Sequence, residues 1–304
     1  TKPIRGPEIA RAVFEAACAA LVQQPFRCKP VYNEGVWGGT YTKRLRGLPD
    51  AMKNCAWVFD LIPLEVSVLV QIGETVVDIP YLTFVRQQGE ALMGADCVDA
   101  FGGFFPIRFN YDDTYHASGN MSIQVHPVDG FIKERFAEFG RQHESYYVVA
   151  TGHGARTYCG LRQDVDLEAF WAAIRESEQE RTPVDYDRYV NSVPSFPGRQ
   201  FLLPAGTIHS SGRNQVVLEI GSLTVGSYTF KLYDYLRLDL DGTPRPIHSR
   251  YGKAVLQTDR QSGWVEENLV QEPRRIASGD GWIESIVGEH DLIYFSLRRI
   301  ELEQ

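Results

Sequence analysis

A chain of 304 residues with 43% hydrophobic and 23% charged side chains can bury a sizeable core, and its balanced composition excludes a disordered or fibrous protein. Its 39 acidic against 31 basic residues leave a net charge of −8, which disfavours nonspecific attraction to nucleic acid or an anionic membrane, so an anionic substrate needs a local basic pocket. No stretch reaches the roughly 20 apolar residues of a membrane span, no secretory signal opens the chain, and Cys18, Cys28, Cys55, Cys97 and Cys159 have neither a metal nor a redox spacing. Reduced thiols and a cytoplasmic location are the expectation.

In chain order, the apolar residues from Ile9 to Val22 fall in pairs, Ile9/Ala10, Val13/Phe14, Ala17/Cys18 and Leu21/Val22, and predict an amphipathic N-terminal helix. Pro30 to Gly39 reads as loop. Short apolar, β-branched runs predict strands over Trp57 to Val70, broken at Pro63, and again at Thr75 to Thr83, Gly103 to Tyr111, Met121 to His126 and Ser145 to Ala150. A helical insert near 166–190 interrupts them, with Leu167, Phe170, Trp171 and Ile174 on one face and Asp166 as its N-cap. Strands resume at Gln200 to Leu203, Gln215 to Ile220, Ser227 to Tyr233 and Leu292 to Ile300. Many short strands with Gly and Pro turns predict an all-β antiparallel sandwich or jelly roll with minor helical inserts. The pattern pauses from Gly252 to Gly263, which suggests a division into residues 1–251 and a second, smaller β unit over 252–304.

Residues Gly198 to His209 read GRQFLLPAGTIH, with a glycine, Pro204, Gly206 and His209 in the spacing of the second conserved motif of the cupin superfamily, whose histidine points into a barrel as a metal ligand. That motif calls for an upstream partner. SIQVHP at Ser122 to Pro127 supplies it, because residues two apart on a strand share a face and Gln124 and His126 can then reach one ion. Glu144, just before SYYVVA, adds a carboxylate. Taken singly, a Q-x-H triplet is a strand histidine bonded to backbone, and Glu144 a solvated carboxylate. Taken together, two imidazoles, a carboxylate and an amide oxygen suit a catalytic zinc with a place left for substrate.

The ordered segments VWGG (Val36 to Gly39), FFPIRF (Phe104 to Phe109), SIQVHP, ESYYV, PAGTIH, VLEI (Val217 to Ile220), KLYDY and RPIH resemble the class I mannose-6-phosphate isomerases, which are cupin enzymes. The resemblance runs from about Val36 to His248. It implies a cupin double-stranded β-helix and one zinc per chain held by Gln124, His126, Glu144 and His209. It also implies an aldose to ketose isomerisation of a sugar phosphate, mannose 6-phosphate to fructose 6-phosphate, with Glu219 as general base or acid, Lys231 as catalytic cation, and Arg108 and Ser122 for substrate binding. The chain departs from the family at three charged positions: Arg108 and Gln142 stand where lysines are usual, and Lys231 where an arginine is usual. Those exchanges keep two other readings open, a non-catalytic cupin sugar-binding or regulatory module and a different cupin metalloenzyme.

Overall fold

A computed structural model describes residues 9–138, 140–223 and 228–303. Contacts gather the chain into two compact units, one formed by the segment up to Val31 with Phe59–Arg108, the other by Tyr32–Val58 with everything from Phe109 on.

The first unit combines a three-stranded antiparallel sheet, Cys28–Lys29, Ser67–Ile72 and Thr75–Pro80, with the helices Arg11–Leu21, Tyr81–Met93 and Ala95–Phe101. Val68 and Val70 are buried while Leu69 between them is exposed, the alternation of a half-buried strand. The amphipathic N-terminal helix is present and buries Cys18. The strand expected over Thr75 to Thr83 stops at Pro80, which has no N–H for a ladder and, at φ −53°, leads directly into a helix. Phe84 and Val85 of that helix enter the core.

The second unit is built on two antiparallel sheets. One runs in the order Val190–Pro194, Arg156–Leu161, His209–Ser211, Ile123–Val125, Phe230–Tyr233. The other runs Val270–Gln271, Gln200–Leu203, Glu144–Thr151, Gln215–Ser222, then Ile107–Asp113, whose residues from Phe109 belong to this unit. Apart from Arg156–Leu161 and Val190–Pro194, which follow one another in the same sheet, successive strands alternate between the sheets, so residues distant in sequence face one another. Tyr146, Val148, Cys159, Phe201 and Val217 pack between the inner faces. On the outer face of the first sheet lies the helix Leu167–Glu180, whose Phe170, Trp171 and Ile174 pack on Ile123 and Val125. Asp166 caps it by accepting from the Ala169 N–H at 2.9 Å.

The strand-rich, antiparallel expectation holds, but helices are more numerous than it allowed. Asp129–Phe136, Ser249–Val255 and Ser262–Asn268 have seven or eight residues each, too few for a periodic signal to emerge. Arg274–Gly279, Trp282–Gly288 and Leu297–Leu302 form a further three-stranded antiparallel sheet. The strand expected to start at Ser227 begins at Phe230, and 224–227 lie outside the described residues. Among the described residues no helix is long and apolar enough to cross a membrane.

All five cysteines are free thiols, and Cys18, Cys55 and Cys159 are buried. Burial pushes the Cys159 thiol up to about 12 and those of Cys28 and Cys55 to about 11. Since the thiolate is the nucleophile, alkylation of native protein at about pH 8 is expected to spare Cys18, Cys55 and Cys159 and to reach them only after denaturation. Peptide mass mapping checks this, and a native adduct on Cys159 would contradict the burial.

Candidate metal centre

His209 and Gln124 are paired across adjacent strands, so their side chains leave the sheet on the same face, and Gln124 is paired in turn with Lys231. His126, two residues beyond Gln124, shares that face. Glu144 opens a strand of the opposite sheet, on the side that carries Tyr146 and Val148. The alternation of strands between sheets therefore brings the four side chains together. Ligand atoms of His126, Glu144 and His209 all lie within 4.8 Å of one another. His126 Nε2 is 3.1 Å from Glu144 Oε1 and His209 Nε2 is 3.3 Å from Glu144 Oε2. The Gln124 amide stands 3.5 Å and 3.4 Å from the same two ring nitrogens.

The remaining nitrogen of each ring defines the tautomer. His126 Nδ1 lies 2.9 Å from the Tyr228 carbonyl and His209 Nδ1 2.8 Å from the Thr207 carbonyl. A carbonyl only accepts, so each Nδ1 carries the proton and each Nε2 of the neutral ring presents a lone pair. Two lone pairs and a carboxylate aimed at one point repel unless a cation lies among them, and all three residues are at most 2% exposed, which removes screening by water. The donor set thus fits a divalent metal. Gln124 completes it: Ser122 Oγ donates to its Oε1 at 2.9 Å, and turning the amide over places that oxygen on the centre and its NH2 on the hydroxyl, which accepts as well as it donates.

The turn Pro204 to Thr207 ties these ligands to one another. The Gly206 N–H donates to the His126 carbonyl at 2.7 Å, the Ala205 N–H donates to His143 Nδ1 at 2.9 Å beside Glu144, and Thr207 accepts from His209. Burial first, then Arg141 and Arg260, push His143 down to about 4, so its ring stays neutral and able to accept. Arg260, itself buried, directs Nη1 at the Pro204 and Ala205 carbonyls and Thr207 Oγ1, at 2.9, 2.8 and 2.6 Å. Gln142 Nε2 donates to Glu144 Oε1 at 3.1 Å while its Oε1 accepts from the Tyr228 N–H.

Of the other residues singled out in the sequence, Glu219 is buried and stands opposite Tyr146 in register, on the inner face. Lys231 shares the row of Gln124 and His209, but its amine lies 3.9 Å from Asp234 Oδ2, a buried carboxylate also bound by Arg237 and Arg245. Burial, then Arg245, lowers the Lys231 pKa, and Asp234 opposes that shift. Ser122 is buried against Gln124. Arg108 is half-buried and belongs to the other compact unit. Sequence reasoning missed Arg260 and His143, which act on ligand-bearing segments only through the fold, and it missed the ion pairs of Asp234, although that residue lies within the segment KLYDY.

No family model matches the chain. Among curated proteins, the mannose-6-phosphate isomerase ManA of Bacillus subtilis (strain 168) is 26% identical over 254 residues, covering 78% of this chain and 69% of ManA. The mannose-6-phosphate isomerase of Streptococcus mutans is 25% identical over 235 residues, 77% of this chain and 68% of that protein. Over more than three quarters of its length the chain is similar in sequence to mannose-6-phosphate isomerases. The crystal structure of the mannose 6-phosphate isomerase from Bacillus subtilis superposes with a TM-score of 0.70 at 20% identity, over 92% of this chain and 81% of that one. A zinc-bound mannose 6-phosphate isomerase superposes at 0.59 and 15% identity, over 85% and 79%. These likenesses place the fold of the chain with that of mannose-6-phosphate isomerases.

Proposed function

We propose that the chain is a zinc-dependent aldose to ketose isomerase of sugar phosphates, interconverting mannose 6-phosphate and fructose 6-phosphate on a cupin jelly-roll scaffold in the cytoplasm. The observation that carries the reading is the buried convergence of Gln124, His126, Glu144 and His209 in a chain related to enzymes of that name. Two nitrogens, a carboxylate and an amide oxygen suit one zinc per chain and leave room for a sugar oxygen. When bound, zinc supplies Lewis-acid polarisation of that oxygen.

Proton movement falls to the residues of the chain. Isomerisation removes the proton on C2 of the aldose and returns one to C1 through an enediol, so it needs a base and a cation near the developing oxyanion. Glu219 is assigned the proton transfer, because it is a buried carboxylate on the inner face that bears the ligands. Lys231 is assigned the oxyanion: its lowered pKa makes its ammonium a better proton donor than an ordinary lysine's. Ser122 holds the Gln124 amide beside the bound sugar. The assignment of Arg108 to the phosphate rests on the bidentate chemistry of guanidinium.

Zinc-loaded protein in deuterated water is expected to convert mannose 6-phosphate to fructose 6-phosphate, ahead of other hexose and pentose phosphates, with solvent deuterium appearing at the transferred position. Sugar phosphate binding with neither conversion nor exchange would leave only a binding module. Glu219→Gln and Lys231→Met should each lower kcat by about 10²- to 10⁴-fold with KM and zinc content little changed. Arg108→Ala should instead raise KM more than it lowers kcat. Steady-state kinetics with elemental analysis separates the two, and a Glu219→Gln variant of wild-type kcat would remove Glu219 from the chemistry.

A further inference from the structure

We propose that the outer face of the five-stranded sheet carries a second binding site, for a small phosphomonoester dianion. A cavity of about 290 Å³ is lined there by Asn120, His153, Arg156, Tyr158, Tyr186 and Arg213. The pairing of the strands separates it from the metal centre. His209 pairs with Cys159, which packs between the two sheets, whereas Tyr158 pairs with Ser210 and packs with Phe170 and Trp171 on the other face. Successive residues of a strand point to opposite sides, so this cavity and the metal cluster lie back to back across one sheet.

The charge of the cavity runs against that of the chain. In a protein of net charge −8, the two fully charged side chains lining it are both guanidinium groups, and no carboxylate lines it. Arg156 donates from Nη2 to the Ser192 carbonyl at 3.3 Å, which leaves most of its five N–H donors for a ligand. Among the described residues neither Arg156 nor Arg213 has an ion-pair partner. His153 adds an imidazole whose ring N–H is a further donor. The rest of the lining is largely aromatic: Tyr158 and Tyr186 meet edge to face at 5.5 Å, and Asn120 fixes the Tyr186 hydroxyl by donating to it at 3.2 Å. Two guanidinium forks recognise phosphate oxygens, and the phenol wall suits a short carbon body attached to them. The volume, at the lower end for ligand sites, admits a phosphate with a few carbons and not a dinucleotide.

Titration calorimetry with glycerol 3-phosphate and with inorganic phosphate, joined to proton resonances of the His153 ring, tests the site without recourse to turnover. Glycerol 3-phosphate is expected to bind more tightly than inorganic phosphate and to shift the His153 resonances. Arg156→Gln/Arg213→Gln, both at exposed positions, should weaken that binding by about tenfold or more and abolish the His153 shift. The melting temperature of the double variant shows that it folds. Unchanged affinity in that variant, no His153 response in the wild type, or inorganic phosphate binding as tightly as the ester would each overturn the proposal. None of these outcomes depends on zinc or on isomerase activity, so its failure is distinct from failure of the catalytic reading.

Discussion

His209→Ala is expected to purify with almost no zinc, to lose the rise in melting temperature that added zinc gives the wild type, and to turn over at background. The imidazole is held by its Nδ1 proton on the Thr207 carbonyl, so its Nε2 lone pair stands 3.3 Å from Glu144 Oε2 without any rotation to arrange. Alanine removes that donor and leaves a cluster of Gln124, His126 and Glu144. Loss of an outer partner alone typically costs a metal site 10- to 100-fold in affinity, and loss of a ligand is expected to cost more than about 100-fold. Zinc binding to the folded state adds stability that grows with the logarithm of zinc over its dissociation constant, so the thermal shift reads the same affinity independently of activity. His153→Ala, an exposed position on the opposite face of the sheet, serves as the control and should retain equimolar zinc. Equimolar zinc in His209→Ala would place the metal elsewhere.

What the sequence made legible follows from which interactions are local. The N-terminal helix and the helix Leu167–Glu180 announce themselves because each presents an apolar stripe within a dozen residues, and Asp166 sits where its cap is needed. Tyr81–Met93 was hidden because Tyr81, Thr83, Phe84 and Val85 are β-formers by composition, and tertiary burial of Phe84 and Val85 overrides that preference. The two motifs around His126 and His209 were readable as spacing, since a strand forces residues two apart to one side. The pairing of Gln124 with His209, and of Gln124 with Lys231, was not, because register between distant strands is decided by side chains on both. Lys231 shows the limit. Its row beside Gln124 is a matter of register, while its amine sits by Asp234 because a carboxylate three residues on, held by Arg237 and Arg245, attracts it.

Arg260 makes a larger contribution than its distance in sequence from any motif suggests. Arg260→Met is expected to destabilise the protein by on the order of 3 kcal/mol and to weaken zinc binding by about 10- to 100-fold, although the residue touches no ligand atom. Its Nη1 is the donor that faces the Pro204 and Ala205 carbonyls and Thr207 Oγ1, and methionine would fill part of the space while offering those buried oxygens nothing. The same turn is confined from other sides. Gly206 has φ 89°, and a Cβ there would meet Gln257 Cγ at 2.6 Å and the Val255 carbonyl at 3.1 Å, so the backbone has no slack in which to absorb a shift. A displaced turn moves the Thr207 carbonyl that orients His209 and breaks the Gly206 to His126 bond, which disturbs two ligands at once. In a chain of this size the loss corresponds to a fall in melting temperature of roughly 5 °C. Arg260→Lys, which keeps the charge but presents a single nitrogen, should fall between wild type and methionine in both measurements. Thermal melts of metal-free protein read the stability term, and competition against a chelator of known affinity reads the zinc term. A methionine variant that melts with the wild type and holds zinc as tightly would show that the Pro204 to Thr207 turn keeps its shape without Arg260.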